Sequence, residues 1–554
     1  MRNSISINLV LCLWLGCWSA PVAMADTIGT PVLWENSKRV DALLNGIIKP
    51  TSPGCAVAVW GEGRPLHLGG YGMASLELDN HISADTVFNI GSSSKQFAAA
   101  AIVHAALAGK LGLGDDIRQY LPEFPDYGHV ITINHLVFHT SGIRDYMSMR
   151  WMAGQPPEDI YSDAWVMDLL MRQKALNFVP GETYSYSNSG YFLMAKILEV
   201  ATGQSLRLYA DENLFQPLGM DNTHFHNNRH EVVPNRSMAY APGQGGSYRL
   251  DWYANFDKIG SGGLMTSARD LMLWEENFHK GMQAAEGWLS KMKTLGVLGD
   301  GHKSLYGYGL IHGQYKVRTT IRHRGAYMGY RAETLRFPDQ GASIDVICNY
   351  GGLQPARLAE AIADILFNGT DDQGAVKKMT ASDHQVSVEA LDQIAGAYRD
   401  TNSRYILTLS RQDNSLTVQG APFPLRLVQT RPGHFQSADE NVPVKMFIEG
   451  PGAFSLTTEG LSAGHYEKVE LVDQQCGALA AHAGRYRSAE LGTEFLLAHN
   501  ACQITVQRGK DDPVSLTGTT AHAFRSGILT LEFDGRGGLL ASVPRAGGVQ
   551  FQKQ

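Results

Sequence analysis

The run from Phe97 to Leu107 consists of Phe, Ala, Ile, Val and Leu, broken only by His104. At helical spacing it is apolar all round, and a helix with no polar face must be buried on every side. A chain containing it has to build a thick core around it. Just before it, Phe88-Asn89-Ile90-Gly91 reads as a short strand ending in glycine, and Ser92-Ser93-Ser94-Lys95 opens the helix. This strand-turn-helix start puts Ser92 at a helix N-terminus, where unpaired backbone N–H groups and the helix dipole favour developing negative charge. Lys95 lies one turn further on the same face, so its side chain can touch Ser92. A serine hydroxyl is a poor nucleophile at neutral pH and needs such a neighbour. Spacing alone does not decide this, because Ser290 and Lys293 repeat it with no strand before them. An isolated serine at a helix start is ordinarily an N-cap.

Two further motifs follow in order: Tyr186-Ser187-Asn188, after Pro180-Gly181-Glu182, and His323-Arg324-Gly325. Each has chance counterparts, at Tyr253-Ala254-Asn255, His67-Leu68-Gly69 and His482-Ala483-Gly484, so the weight lies in their order and surroundings. With His139-Thr140-Ser141-Gly142 and the segment Gly260 to Ser267, they give a set that resembles the class C β-lactamase-like serine hydrolases. That family takes in penicillin-binding DD-peptidases, D-aminopeptidases and esterases, with the signature S-x-x-K, Y-x-N and K-T-G or H-x-G. The resemblance spans most of residues 45 to 350.

The resemblance implies catalytic roles for Ser92, Lys95, Tyr186, Asn188 and His323. Ser92 would form an acyl-enzyme while Lys95 and Tyr186 handle the proton. A free lysine titrates near 10.4, so the base is either a deprotonated Lys95 or a Tyr186 phenolate. The implied oxyanion hole is the Ser92 N–H with that of Ala326, and the implied substrate contacts are Asn188, Gly325 and Arg324. The penicillin-directed members usually carry lysine where His323 stands. A neutral imidazole holds a carboxylate less strongly than an ammonium does, which points away from efficient β-lactamase activity and towards an esterase or a D-residue-specific peptidase. Arg324 is either a replacement charge or an ordinary exposed strand residue. Tyr146, Tyr327 and Tyr330 sit near the motifs in sequence and either line the pocket or, as the favoured role, pack in the core or rim.

The order of elements gives an α/β (α+β) domain. Strands at Cys55 to Trp60 and Pro65 to Tyr71 come first, and helices at Ala164 to Arg172, Asn188 to Ala201 and Ala268 to Phe278 follow. Strands return at Thr319 to His323, Ala332 to Phe337 and Ser343 to Cys348, before a last helix through Leu358 and Leu366. The sheet is therefore antiparallel and takes strands from both ends. With 554 residues there is material for more than one domain. Beyond a polar linker at residues 368–374 the pattern becomes all-β and repeats itself: Gly396-Ala397-Tyr398-Arg399 recurs as Gly484-Arg485-Tyr486-Arg487, and Leu416-Thr417-Val418-Gln419 as Ile504-Thr505-Val506-Gln507, at one offset. Each copy has room for roughly eight strands, enough for a small barrel. The expected domains are a signal peptide at 1–25, the catalytic domain at 26–370 and β-barrels at 386–474 and 477–554.

Arg2, the apolar stretch Leu9 to Trp18 and Ala23-Met24-Ala25 read as a secretory signal cleaved near Ala25, with lipidation at Cys17 as the alternative. The product is then secreted or periplasmic. Removal leaves Cys55, Cys348, Cys476 and Cys502; a pair between Cys476 and Cys502 is open, as are free thiols. The formal net charge is −7 with the charges well mixed, which argues against nucleic acid. No later segment has the ~20 apolar residues of a membrane span. No cysteine–histidine spacing suggests zinc, and neither metal nor cofactor is expected. The expected function is an exported serine hydrolase acting on an amide or ester bond of a D-amino-acid type peptide or small molecule. The alternatives are a catalytically silent cell-wall binding protein or a weak β-lactamase; the oligomeric state stays open.

Overall fold

The computed structural model describes residues 34–156, 158–251, 257–283, 287–368, 388–421, 425–439, 444–458, 461–470 and 479–554. The expected signal peptide, the linker beyond Asn368 and Cys476 lie outside these residues. Strand β1 (Cys55–Gly61) is buried at every position and explains the layering. Its Cys55, Val57 and Val59 face one way, against Val40 and Leu44 of the helix Ser37–Ile47 and Leu358 and Ile362 of the helix Pro355–Leu366. Ala56, Ala58 and Trp60 face the other way, into a larger core holding Phe97, Tyr191 and Trp274. Side chains alternate along a strand, so one covered on both faces must be apolar throughout.

The rest of the sheet is β2 (Arg64–Tyr71), β3 (Tyr306–Gly307), β4 (Leu310–Tyr315), β5 (Arg318–Tyr327), β6 (Tyr330–Phe337) and β7 (Ala342–Cys348). The order is β3-β4-β5-β6-β7-β1-β2, antiparallel throughout, with strands from both ends of the domain as expected. Cys55 on β1 lies directly opposite Cys348 on β7, and the two form a disulfide that sequence reasoning did not find. Cys502 is also disulfide-bonded.

The helix Lys95–Leu107 runs through the larger core. From Gly91 to Val103 every residue is buried except Ser92, which is half-exposed. It is flanked by the helices Asn188–Thr202 and Ala268–Gln283. The latter is capped at its start, with the Asp270 N–H donating to Ser267 Oγ at 3.2 Å.

The tail forms two closed eight-stranded barrels, from Gly396–Asp400 to Leu461–Val469 and from Gly484–Ser488 to Ala546–Lys553. The repeat read in the sequence has a structural counterpart. Gly396 and Gly484 share φ of 147° and 144°, a region open to glycine. The hydroxyls of Tyr398 and Tyr486 donate to the carbonyls of Ile394 and His482, and Lys468 and Lys553 lie over the two tyrosine rings at 5.8 and 5.7 Å. Such matched detail is what duplication of one module leaves behind.

The two barrels differ in how they attach. The first has its own core around Leu407, Leu427 and Phe454. The second shares one continuous core with the catalytic domain. Across that joint the Arg144 guanidinium meets Glu490 at 2.6 Å, both side chains almost fully buried. The first barrel thus packs around a core of its own, while the second continues the core that surrounds the helix Lys95–Leu107.

Candidate active site

Ser92 sits on a 3₁₀ turn, Gly91–Ser94, between the strand Phe88–Asn89 and the helix Lys95–Leu107. Its neighbours anchor the turn. Ser93 Oγ donates to the His323 carbonyl at 3.0 Å, and Ser94 Oγ accepts from the Leu264 N–H at 3.1 Å. Close backbone packing completes the fit. A Cβ on Gly325 would stand 1.8 Å from the Ile90 carbonyl oxygen, so only glycine lets β5 approach the turn. This gives Gly325 a reason other than the substrate contact expected for it. Gly91, at φ of 52°, lies against the backbone of Ala326 in the same way. β4 pairs with β5 only as far as Arg322, so His323 to Tyr327 form an edge beside Ser92, and Ala326 is exposed on it.

Lys95 Nζ lies 3.1 Å from Ser92 Oγ, 3.0 Å from Asn188 Oδ1 and 2.6 Å from the Ser261 carbonyl oxygen. The Asn188 amide is orientated by its other end, since Nδ2 donates to Asp145 Oδ2 at 2.8 Å. Both of those oxygens can only accept. An ammonium would donate to all three oxygens, whereas a neutral amine donates to the two carbonyls and turns its lone pair to the Ser92 hydroxyl, so the contacts fit either state. Burial favours the neutral one. Burial pushes the Lys95 ammonium well below the ordinary lysine range, with Asp145 pulling the other way and Arg545 and Lys258 adding to the lowering. Lys258 is itself pushed down to about 7, chiefly by burial.

His323 is neutral at any working pH, because burial lowers it to about 3 and Lys95 adds to that. Its Nδ1 is 2.7 Å from the Arg324 carbonyl, which only accepts, so Nδ1 carries the proton. Nε2 then accepts from the Tyr306 hydroxyl at 3.2 Å. Tyr186 lies with its ring 4.7 Å from Lys95 Nζ and 4.3 Å from the buried His139 ring. The Ser187 N–H donates to His139 Nδ1 at 3.0 Å, which holds the tyrosine segment in place. Ser92, Lys95, Tyr186, Asn188 and His323 are thus brought together around one cleft.

Arg324 is not among them. Its neighbour in the ladder is Glu333, whose Oε2 is 3.4 Å from Arg324 Nε, on the face where Arg322 meets Glu360 of the helix Pro355–Leu366. Alternation along β5 turns it away from His323, and the expected substrate contact is dropped. Tyr330 is core, its hydroxyl donating to the Ser237 carbonyl. Tyr146 is buried with its hydroxyl 2.9 Å from Ser261 Oγ.

Sequence reasoning missed Asp145, the Ser261 carbonyl, Tyr306 and Arg545. His139 and Ser261 stood inside segments noted for their resemblance, so the signal was present without a role. Arg545 had none. It comes from the hairpin between the last two strands of the second barrel, at φ of 69°, with its carbonyl accepting from the Asp145 N–H at 3.0 Å and Asn177 Nδ2 at 2.9 Å. Its guanidinium carbon stands 5.8 Å from the Tyr186 ring centre. The tail therefore reaches the cleft.

The family model described as Beta-lactamase matches residues 40–367, more than half of the chain. The chain belongs to the Beta-lactamase family. Among curated members, it is similar to a D-aminopeptidase of Brucella anthropi, 27% identical over 304 residues, covering 54% of this chain and 56% of the relative. It is also similar to a D-aminopeptidase of Gluconobacter oxydans, 26% identical over 351 residues, with 62% and 65% covered. The chain thus spans somewhat over half the length of these relatives. The octameric penicillin-binding protein homologue from Pyrococcus abyssi shares the fold, with a TM-score of 0.55, 19% identity, and 78% of this chain and 99% of that one covered. This Beta-lactamase family domain carries the Ser92, Tyr186 and His323 motifs within its matched span.

If neutral Lys95 is the working base, activity falls as pH drops and Lys95 takes up a proton. Asp145 favours the ammonium and Arg545 opposes it. Asp145→Asn should therefore move the acidic limb of kcat/KM for a neutral ester to lower pH, and Arg545→Gln should move it to higher pH. Limbs that stay put or move together would sink the assignment.

Proposed function

We propose that this chain is an exported serine hydrolase that cleaves an amide or ester bond of D-amino-acid type substrates through an acyl-enzyme on Ser92. The observation that carries this reading is the contact of the buried Lys95 Nζ with Ser92 Oγ at 3.1 Å, beside Asn188 and the Ser261 carbonyl. Ser92 Oγ attacks the carbonyl carbon as its proton passes to Lys95 Nζ, with the Tyr186 hydroxyl beside them as relay. The oxyanion is received by the N–H groups of Ser92 and Ala326. The intermediate collapses, the C–N or C–O bond breaks, and the proton returns to the leaving amine or alcohol. Water then attacks the acyl carbon by the same route and frees Ser92.

The D-aminoacyl preference follows the D-aminopeptidase relatives. The disulfide between Cys55 and Cys348 accords with an oxidising compartment and so with export. A neutral His323 leaves a substrate carboxylate without the usual ammonium, and the exposed Arg545, its guanidinium carbon 5.8 Å from the Tyr186 ring centre, offers a cation beside the site instead. The test is to label the full chain with a fluorophosphonate, map the serine, and profile p-nitrophenyl esters, nitrocefin, D-alanyl-D-alanine and its C-terminal amide. Label on Ser92, lost in Ser92→Ala and retained in Ser290→Ala, supports the reading. The dipeptide should be preferred to its amide, and Arg545→Gln should remove the preference. Label elsewhere, or nitrocefin as the best substrate, overturns it.

A further inference from the structure

Away from the cleft, the strand His224–Phe225 and the residue after it place His224 and His226 on one side of the chain, two residues apart, as alternation requires. His224 Nε2 and His226 Nδ1 are 3.4 Å apart. Glu231 returns on a turn so that its Oε2 lies 3.6 Å from His226 Nδ1. One ligand atom from each of the three lies within 4.8 Å of the others. From this we infer that His224, His226 and Glu231 form a binding site for a divalent transition metal, of which zinc is the best fit.

The distances carry the argument. Two ligands each about 2.0–2.1 Å from a tetrahedral zinc are held about 3.4 Å apart, which is the separation of the two imidazole nitrogens. Glu231 Oε2 stands 3.6 Å from His226 Nδ1, and with the remaining pair within 4.8 Å the carboxylate has to move inward to complete the set. Two imidazoles and one carboxylate are a donor set suited to zinc, with a fourth position left for water. The site is also supported from behind. Arg207 Nη2 donates to Glu231 Oε1 at 2.6 Å, and Nη1 to Oε2 at 2.5 Å and to Asn227 Oδ1 at 3.2 Å. Each carboxylate oxygen has two lone pairs, so an oxygen bonded to Arg207 keeps one for a metal. Arg207 thereby fixes the ligand's orientation, as supporting partners of metal ligands do. Its charge opposes the incoming cation, so the expected affinity is micromolar rather than tighter.

The location gives the site a structural purpose. The His226 N–H donates to the Gly263 carbonyl at 2.8 Å, and His224 pairs with Met265 in the small sheet. Two residues before Gly263 is Ser261, whose carbonyl accepts from Lys95. A metal would pin the far side of the segment that orientates the base, without touching the reacting atoms.

The experiment uses the full chain without an affinity tag, stripped with EDTA and titrated with zinc by calorimetry and with cobalt by visible absorption. One equivalent of zinc, tetrahedral cobalt bands and a higher Tm with zinc are expected, because a ligand that binds only the folded state stabilises it. His224→Gln and His226→Gln should each weaken zinc binding roughly tenfold or more while labelling of Ser92 persists. A crystal soaked in zinc and measured at the zinc edge covers the case of a variant that fails to fold. An anomalous peak between the three side chains supports the site. No saturable binding, a peak elsewhere, or unchanged affinity in the double histidine variant overturns it.

Discussion

Lys95→Ala is expected to lower turnover roughly 10³-fold or more, with Tyr186→Phe costing roughly 10²-fold or more, and the double variant little worse than Lys95→Ala. The reason lies in the shared proton path. Lys95 Nζ touches Ser92 Oγ and sits 4.7 Å from the centre of the Tyr186 ring, so both side chains serve one transfer. When members of a unit act on one step, removing the second after the first adds little. Lys95→Arg should not rescue, since a permanent cation cannot accept the proton. Single-turnover acylation by a p-nitrophenyl ester measures this directly. Losses that multiply independently in the double variant would refute a common path, as would an Arg variant with near-normal rates.

The second large effect concerns the joint between the catalytic domain and the second barrel. Glu490→Ala should destabilise the chain by about 3–5 kcal/mol, the range for stranding one partner of a buried ion pair. Glu490 Oε2 accepts from Arg144 Nη1 at 2.6 Å and from the Lys174 N–H at 3.0 Å, while Oε1 accepts from the Gln550 N–H at 2.9 Å. Truncation leaves the buried Arg144 guanidinium without its counter-charge, held among the described residues only by Gln173 Oε1 and the Gly548 carbonyl. Replacing both charges by apolar residues, Arg144→Met with Glu490→Leu, should recover much of the loss, because the desolvation cost disappears with them. Urea unfolding midpoints of the wild-type chain and these two variants test this. A single-variant loss below about 1 kcal/mol, typical of an exposed pair, would count against a buried one. Arg144 also leads directly into Asp145, whose N–H holds the Arg545 carbonyl. Loss of Glu490 should therefore blur the dipeptide preference even under folding conditions.

Much of the catalytic domain was legible because its signals are local. The apolar run Phe97 to Leu107 required a buried helix, and every residue from Lys95 to Val103 is buried. Strand β1 is legible as a short apolar run and β6 and β7 as short strands, while β5 runs on to Tyr327, four residues beyond the expected His323. The repeat in the tail announced two like modules, since a duplicated sequence folds in a duplicated way. Arg324 shows the limit. Sequence places it beside His323, but the direction of a strand side chain depends on which face the core takes, and Arg324 went to Glu333.

By itself, the sequence determined that Ser92 and Lys95 share one helix face, that a strand and an apolar helix flank them, and that two β-modules follow. These are properties of residues within a few turns of one another, where spacing dictates geometry. Only the tertiary structure decided that Asn188, Ser261 and Asp145 surround Lys95, that Cys55 faces Cys348, and that Arg545 of the second barrel overlooks Tyr186. Those partners are far apart in the chain and meet because the sheet closes with strands from both ends and the second barrel merges its core with the catalytic domain. The charge balance that pushes the Lys95 ammonium below the ordinary lysine range belongs to that packing, since burial sets it and no single stretch of sequence contains it.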